Sequence, residues 1–169
     1  IQQELSMTKS SKKEEKCLQL FRLTTSSRDA TYEWYKERLE ECVPGTCSWF
    51  LEHEYYLQWL QRRSGPLVVT ADPGCGKSVL AKYLIDCCLP RTATVCYCFF
   101  KDQDQNTVRQ ALCALLHQLF RKKPSLIEHA MPEFREDGPG LVNSTESLWK
   151  ILRKAARDHR LVPGCAFAG

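Results

Sequence analysis

Lys77 and Ser78 follow a glycine-rich stretch, Ala71-Asp72-Pro73-Gly74-Cys75-Gly76, and the eight residues together have the composition of a phosphate-binding loop. A small residue, four further positions and then Gly-Lys-Ser is the spacing that phosphate chemistry uses. Gly74 and Gly76 allow the backbone to turn so that successive N–H groups converge into an anion nest that a Cβ would obstruct. The nest opens into a helix, whose first N–H groups and positive dipole end attract phosphate. Asp72, Pro73, Gly74, Cys75, Gly76, Lys77, Ser78 and Val79 are therefore the candidate ligand-binding residues. Lys77 reaches the outer phosphates as a point charge, and the Ser78 hydroxyl is a ligand for Mg²⁺. Cys75 sits near the helix start, which makes it either a candidate for oxidation or alkylation or a passive spacer.

The flanking sequence is of the kind that could position such a loop. Leu67-Val68-Val69-Thr70 is a short apolar, β-branched run after Gly65-Pro66 and reads as a buried strand. Ser78 to Asp86 is helix-favouring, with Val79, Leu80, Tyr83 and Leu84 on one face. Thr94 to Phe100 reads as a second buried strand. Asn106 or Thr107 caps a helix with an apolar stripe of Val108, Leu112, Leu115, Leu116 and Leu119, which Pro124 stops. A short helix over Ser125–Ala130, a loop at Glu136–Gly140, and a last helix follow. Asn143 or Ser144 caps that last helix, and Leu148, Ile151, Leu152 and Ala155 share one of its faces. Upstream, Asp29 caps a helix reaching about Glu41, and Pro44-Gly45 breaks it. Ser48 caps another through Arg63, with Trp49, His53, Tyr56, Leu57 and Leu60 along one face. His53 in that stripe reads as a packed core histidine rather than a ligand.

Strand, helix, strand, helix predicts an α/β fold with parallel strands and flanking helices. The predicted organisation is a disordered polar arm over residues 1–16, a helical segment over 17–64, a nucleotide-binding part over 65–158, and an atypical tail over 159–169. Bulk properties are consistent with a globular chain: 169 residues, 43% hydrophobic, net charge +4. The basic residues form no stripe, so no specific nucleic-acid partner is expected. No apolar run reaches the roughly 18 residues of a membrane helix. The ten cysteines come with no leader at the N-terminus and no C-x-x-C pair, so the chain reads as intracellular and reduced, in the cytoplasm. Cys42, Cys47 and His53 make a poor zinc set.

From about Cys17 to Asp158 the sequence resembles the N-terminal part of fungal NACHT-type, STAND-class NTPases, also described as nephrocystin-3-like N-terminal domains. The residues that carry the resemblance are Cys17-Leu18 with Leu20, Tyr32-Glu33-Trp34-Tyr35-Lys36, Gly45-Thr46-Cys47-Ser48-Trp49-Phe50 and Trp59-Leu60. Gly65-Pro66-Leu67 running into the loop, Lys77 to Ala81, Phe99-Phe100-Lys101-Asp102 and the run Ala111-Leu112 to Leu115-Leu116-His117-Gln118-Leu119 complete them. The resemblance implies a signalling ATPase that binds ATP or ADP with Mg²⁺, associates with itself or with full-length relatives, and uses residues near Thr46 and Trp49 for adenine.

It also implies a later apolar strand ending in acids, the Walker B motif, and here the sequence departs from it. No acid follows Asp158, and Pro163-Gly164 stands where a strand belongs. No catalytic residue is assigned, and the chain reads as truncated, both there and at Ile1. The family's sheet places further strands between the two present here, so the sequence predicts an incomplete sheet: a partial, marginally stable α/β unit, or two strands paired in an unusual way. Three functions follow. The first is nucleotide binding with impaired hydrolysis. The second is a self-sufficient kinase or ATPase using Asp102 or Asp104 at the end of the 94–100 strand. The third is an interaction or regulatory segment without nucleotide.

Overall fold

The computed structural model describes residues 2–24, 31–61, 65–100, 107–161 and 166–168. The chain divides into two compact units. One comprises residues 1–35 with 90–169, the other residues 36–89. The phosphate-loop sequence thus shares a unit with residues 36–64, and the 94–100 segment lies in the other.

The first unit is built on helices. α1 (Gln2–Thr24), α6 (Val108–Lys122) and α8 (Thr145–Ala156) pack together, α6 against both of the others. α6 starts as its sequence predicts. The Thr107 hydroxyl accepts from the Gln110 N–H at 3.2 Å while the Gln110 carboxamide reaches back to the Thr107 N–H, a complete capping box. Ser144 caps α8 by accepting from the Ser147 N–H at 3.1 Å. Their apolar faces meet in a core where Phe21, Leu116, Leu119, Phe120, Leu148 and Ile151 are sealed from solvent. Phe21 and Phe120 stack with ring centres 5.8 Å apart. Val108 was expected in that stripe, but it lies in the first turn of α6 and is exposed.

Several elements differ from expectation. Where residues 1–16 read as a disordered arm, α1 runs from Gln2, and its C-terminal half carries Cys17 and Phe21 into the core. Pro124–His129 is a 3₁₀ turn, α7 (Met131–Asp137) follows it, and a second 3₁₀ turn covers Gly138–Asn143. Pro132 and Pro139 each stand in the first turn of their element, where a missing N–H leaves no bond unmade.

The α/β fold expected from the sequence is not present. Among the described residues helices predominate, and strand is confined to β1 (Val95–Tyr97) and β2 (Ala166–Ala168), paired in parallel with Cys96 opposite Phe167. Leu67–Thr70 forms no strand, and Val68 is 76% exposed. A β-branched run becomes a strand only when a neighbour supplies its ladder and its apolar face is covered, and here neither holds. Nor does 67–70 pair with 94–100. β1 finds its neighbour in the tail instead, at residues expected to be atypical.

A side chain completes the pairing of β1. Gln118 of α6 accepts from the Tyr97 N–H at 3.0 Å and donates to the Tyr97 C=O at 2.7 Å, doing for one residue what a strand would do. Lys122 donates to the Val95 C=O. Of the backbone groups expected to be left unpaired, those of Tyr97 and the Val95 C=O are satisfied in this way. Next to Gln118, the buried His117 takes the Tyr32 hydroxyl on Nδ1 at 2.9 Å. Burial, with Arg22 and Arg121 nearby, pushes the His117 pKa down to about 4.

The second unit has shorter elements: α3 (Ser48–Leu51), α4 (Glu54–Leu60) and α5 (Lys77–Tyr83), the last continued by a π-helical turn over Leu84–Cys88. α2 (Tyr32–Glu37), at the junction of the units, is far shorter than the helix expected up to Glu41, and its expected cap, Asp29, lies outside the described residues. The single helix expected from Ser48 to Arg63 is two. His53 separates them and caps α4, its Nδ1 accepting from the Tyr55 N–H at 3.3 Å. Ser48 is the first residue of α3 and not its cap.

Candidate functional site

Ala71 to Val79 begins as irregular chain and ends inside α5. Asp72-Pro73-Gly74-Cys75 is a tight turn: the Cys75 N–H donates to the Asp72 C=O at 3.3 Å, and Gly74 has φ of +84°. Proline second and a left-handed glycine third is the signature of a type II turn. Gly76, with φ of +77°, is the N-cap of α5. Both glycines are required by these angles and not by crowding, because a Cβ on either would meet nothing within 4 Å. The expectation that a Cβ would obstruct the nest is corrected to that extent.

α5 presents its first turn openly. Its first backbone bond runs from the Leu80 N–H to the Gly76 C=O at 2.9 Å, so the N–H groups of Lys77, Ser78 and Val79 precede the helical ladder. Residues 71–76 and Ser78 are exposed. Lys77 folds back over the loop, Nζ donating to the Ala71 C=O at 2.6 Å and the Asp72 C=O at 2.8 Å. The Lys77 ammonium thus rests on two neutral carbonyls and has no anionic partner in those two bonds. The Ser78 hydroxyl, on the second residue of α5, is a donor of the hard-oxygen type that Mg²⁺ takes alongside phosphates and water.

What holds α5 was not evident in the sequence. Lys82 is only 6% exposed and donates to the Leu39 C=O at 2.8 Å and the Glu41 carboxylate at 2.6 Å. Lys36 pairs with Asp86 at the far end. Leu80 enters an apolar cluster with Cys47, Phe50 and Tyr56, and Leu67, Tyr83 and Leu84 pack against it. The only signal for Lys82 was its place between Val79 and Tyr83, close to the apolar face of the helix.

The remaining sequence candidates divide. Thr46 is exposed and spends its hydroxyl on the Val43 C=O at 2.7 Å, and Trp49 is 59% exposed. Both lie in the same unit as the loop. Asp102 and Asp104 lie outside the described residues, and the strand that was to deliver them ends at Tyr97.

In the first unit, Glu128, His129 and Asp158 bring ligand atoms within 4.8 Å of one another. Arg160 already supplies the positive charge there. Its Nε and backbone N–H each donate to Asp158 at 2.8 Å, its Nη2 binds both Asp158 and Glu128, and His129 Nε2 lies 2.7 Å from Asp158. The Arg160 hydrogen bonds hold the Asp158 carboxyl well below the usual carboxylate range. The last acid of the chain is therefore committed to an ion cluster at the end of α8. No helix among the described residues is long and apolar enough to cross a membrane.

No curated protein and no solved structure matches the chain. The family described as nephrocystin 3, N-terminal, does match, over residues 45–167. That span takes in the Pro-Gly turn at 44–45 from its glycine onward, the phosphate-loop sequence, α6 and α8, and it is well over half of the 169 residues. On that match, the chain belongs to the nephrocystin 3 N-terminal family.

Proposed function

We propose that residues Asp72–Val79 bind the phosphates of ATP or ADP, and that this chain is the nucleotide-binding part of a NACHT-like, STAND-class signalling protein of fungal type. The observation that carries the reading is the loop itself. Two left-handed glycines, the open first turn of α5 and a lysine resting on loop carbonyls converge on one exposed surface. Lys77 leaves Ala71 and Asp72 to pair with the outer phosphates, and the N–H groups of Gly74 and of Gly76 to Val79 donate to the remaining oxygens. Ser78 holds Mg²⁺, which supplies charge neutralisation between the phosphates. The role is binding without efficient turnover, because phosphoryl transfer depends on a positioned acid and Asp158 is engaged by Arg160. The setting is cytoplasmic, with self-association or association with full-length relatives as the output.

A thermal melt with and without nucleotide tests this. Ligand at about a hundred times its dissociation constant adds roughly 2.7 kcal/mol, and Lys77→Ala removes the increment.

A second reading, an interaction segment that takes no nucleotide, is favoured by the exposed aromatic and apolar side chains of α3 and α4. Trp49, Tyr55, Leu57 and Leu60 are all more than a third exposed. It replaces the first if neither ATP, ADP nor GTP moves the melt.

A further inference from the structure

The second unit holds another Pro-Gly turn, Val43-Pro44-Gly45-Thr46. The Thr46 N–H donates to the Val43 C=O at 3.0 Å, and Gly45 has φ of +85°. This is again the type II pattern, which reverses the chain in four residues and sets the two flanking residues side by side. Here the flanking residues are both cysteines. The Thr46 hydroxyl lies 3.3 Å from the Cys42 sulfur and 4.0 Å from that of Cys47, so one oxygen stands beside both thiols. Two thiols that reach the same hydroxyl across a tight turn need only a short approach to bridge, since a disulfide joins residues whose Cα atoms lie less than about 7 Å apart.

The two thiols are not equivalent. Cys42 is partly exposed, whereas Cys47 is 8% exposed and packs with Phe50, Tyr56 and Leu80. The Cys47 thiol and, after it, Thr46 pull the Cys42 pKa down, and burial, followed by the Cys42 thiol, pushes the Cys47 pKa up. An accessible thiol that ionises more readily, beside a sheltered one, is the division of labour between an attacking and a resolving cysteine.

We propose that Cys42 and Cys47 form a reversible thiol switch that takes a hydroperoxide as its oxidant, Cys42 attacking and Cys47 resolving. The Cys42 thiolate attacks the peroxide oxygen, the O–O bond breaks, and the departing oxygen leaves as an alcohol, or as water from hydrogen peroxide, taking up the proton that Cys42 lost. Cys42 is then a sulfenic acid. Cys47 gives up its proton and attacks the Cys42 sulfur. The S–O bond breaks, and the hydroxide leaves with that proton as water. Two thiols and one hydroperoxide give one disulfide, one water and one alcohol, and a dithiol reductant reverses the change. The inference does not depend on nucleotide binding.

The test uses the full chain treated with stoichiometric hydrogen peroxide, blocked with an alkylating agent and digested with trypsin. Trypsin releases both cysteines in one peptide, Leu39 to Arg62, which contains no other cysteine. The expected result is loss of two hydrogens from that peptide with no alkylation, reversed by dithiothreitol. In Cys47→Ala, the Cys42 sulfenic acid accumulates and is trapped by dimedone. In Cys42→Ala, Cys47 stays reduced. The proposal is overturned if the peptide keeps two alkylated thiols while other cysteines oxidise, or if Cys42 links to Cys88 instead. Should Cys47→Ala fail to fold, the wild-type peptide decides the question alone.

Discussion

In the unit formed by residues 1–35 and 90–169, Phe21, Leu116, Leu119, Phe120, Leu148 and Ile151 are closed off from water. Among the described residues of the unit formed by residues 36–89, only Cys47, Phe50, Tyr56 and Leu80 are buried apolar residues, while Val43, Trp49, Tyr55, Leu57 and Val68 stand exposed. The first unit is specified by apolar packing along long amphipathic helices. The second is specified by local geometry: two Pro-Gly turns, a histidine cap, a left-handed glycine cap, and the lysine clamps Lys82–Glu41 and Lys36–Asp86. With so few apolar side chains buried, the chemistry-bearing loop sits in the more weakly held unit. Segments that change shape on binding are drawn from the low-stability end of a structure.

The comparison can be broken by substitution. Leu116→Ala removes a fully buried side chain from the first unit and should cost about 2–5 kcal/mol in urea unfolding. Val68→Ala in the second unit should stay within about 0.5 kcal/mol. Equal losses would erase the distinction. Gln118→Ala removes the two hydrogen bonds that Gln118 makes to the Tyr97 backbone and should cost about 1–3 kcal/mol, with faster amide exchange at Tyr97. Unchanged exchange there would mean that Gln118 does not stand in for a strand. Gly76→Ala forces a left-handed alanine at the α5 cap and should cost roughly 1–2 kcal/mol. The expected signature is faster amide exchange in α5 and not in α6; a loss spread evenly over both units would contradict their separate means of support.

Legibility followed the same division. α6 and α8 could be read from a cap at Asn106 or Thr107 and at Asn143 or Ser144, because a cap and a long apolar stripe are local signals that tertiary structure then uses. α1 could not be read. Lys9 to Lys16 is polar throughout, and the residues that enter the core, Cys17 and Phe21, come only after it. Leu67–Thr70 has the composition of a strand, but strand formation depends on a partner elsewhere in the chain, which no window of sequence reveals. The same limit hid the pairing of β1 with residues 166–168. At the site, the positive φ of Gly74 and Gly76 followed from their spacing. The Lys77 contacts to its own loop did not, because they depend on where a flexible side chain rests.

The central claim is that the loop from Asp72 to Val79 binds nucleotide phosphate through Lys77. The most direct measurement is the melting temperature of the full chain with Mg²⁺ and saturating ADP or ATP, beside Lys77→Ala under the same conditions. The account predicts a stabilisation of roughly 2.7 kcal/mol at about a hundred times the dissociation constant, seen as a rise of several degrees that is absent in the variant. A melt that no nucleotide moves, or a rise that persists in Lys77→Ala, would contradict it.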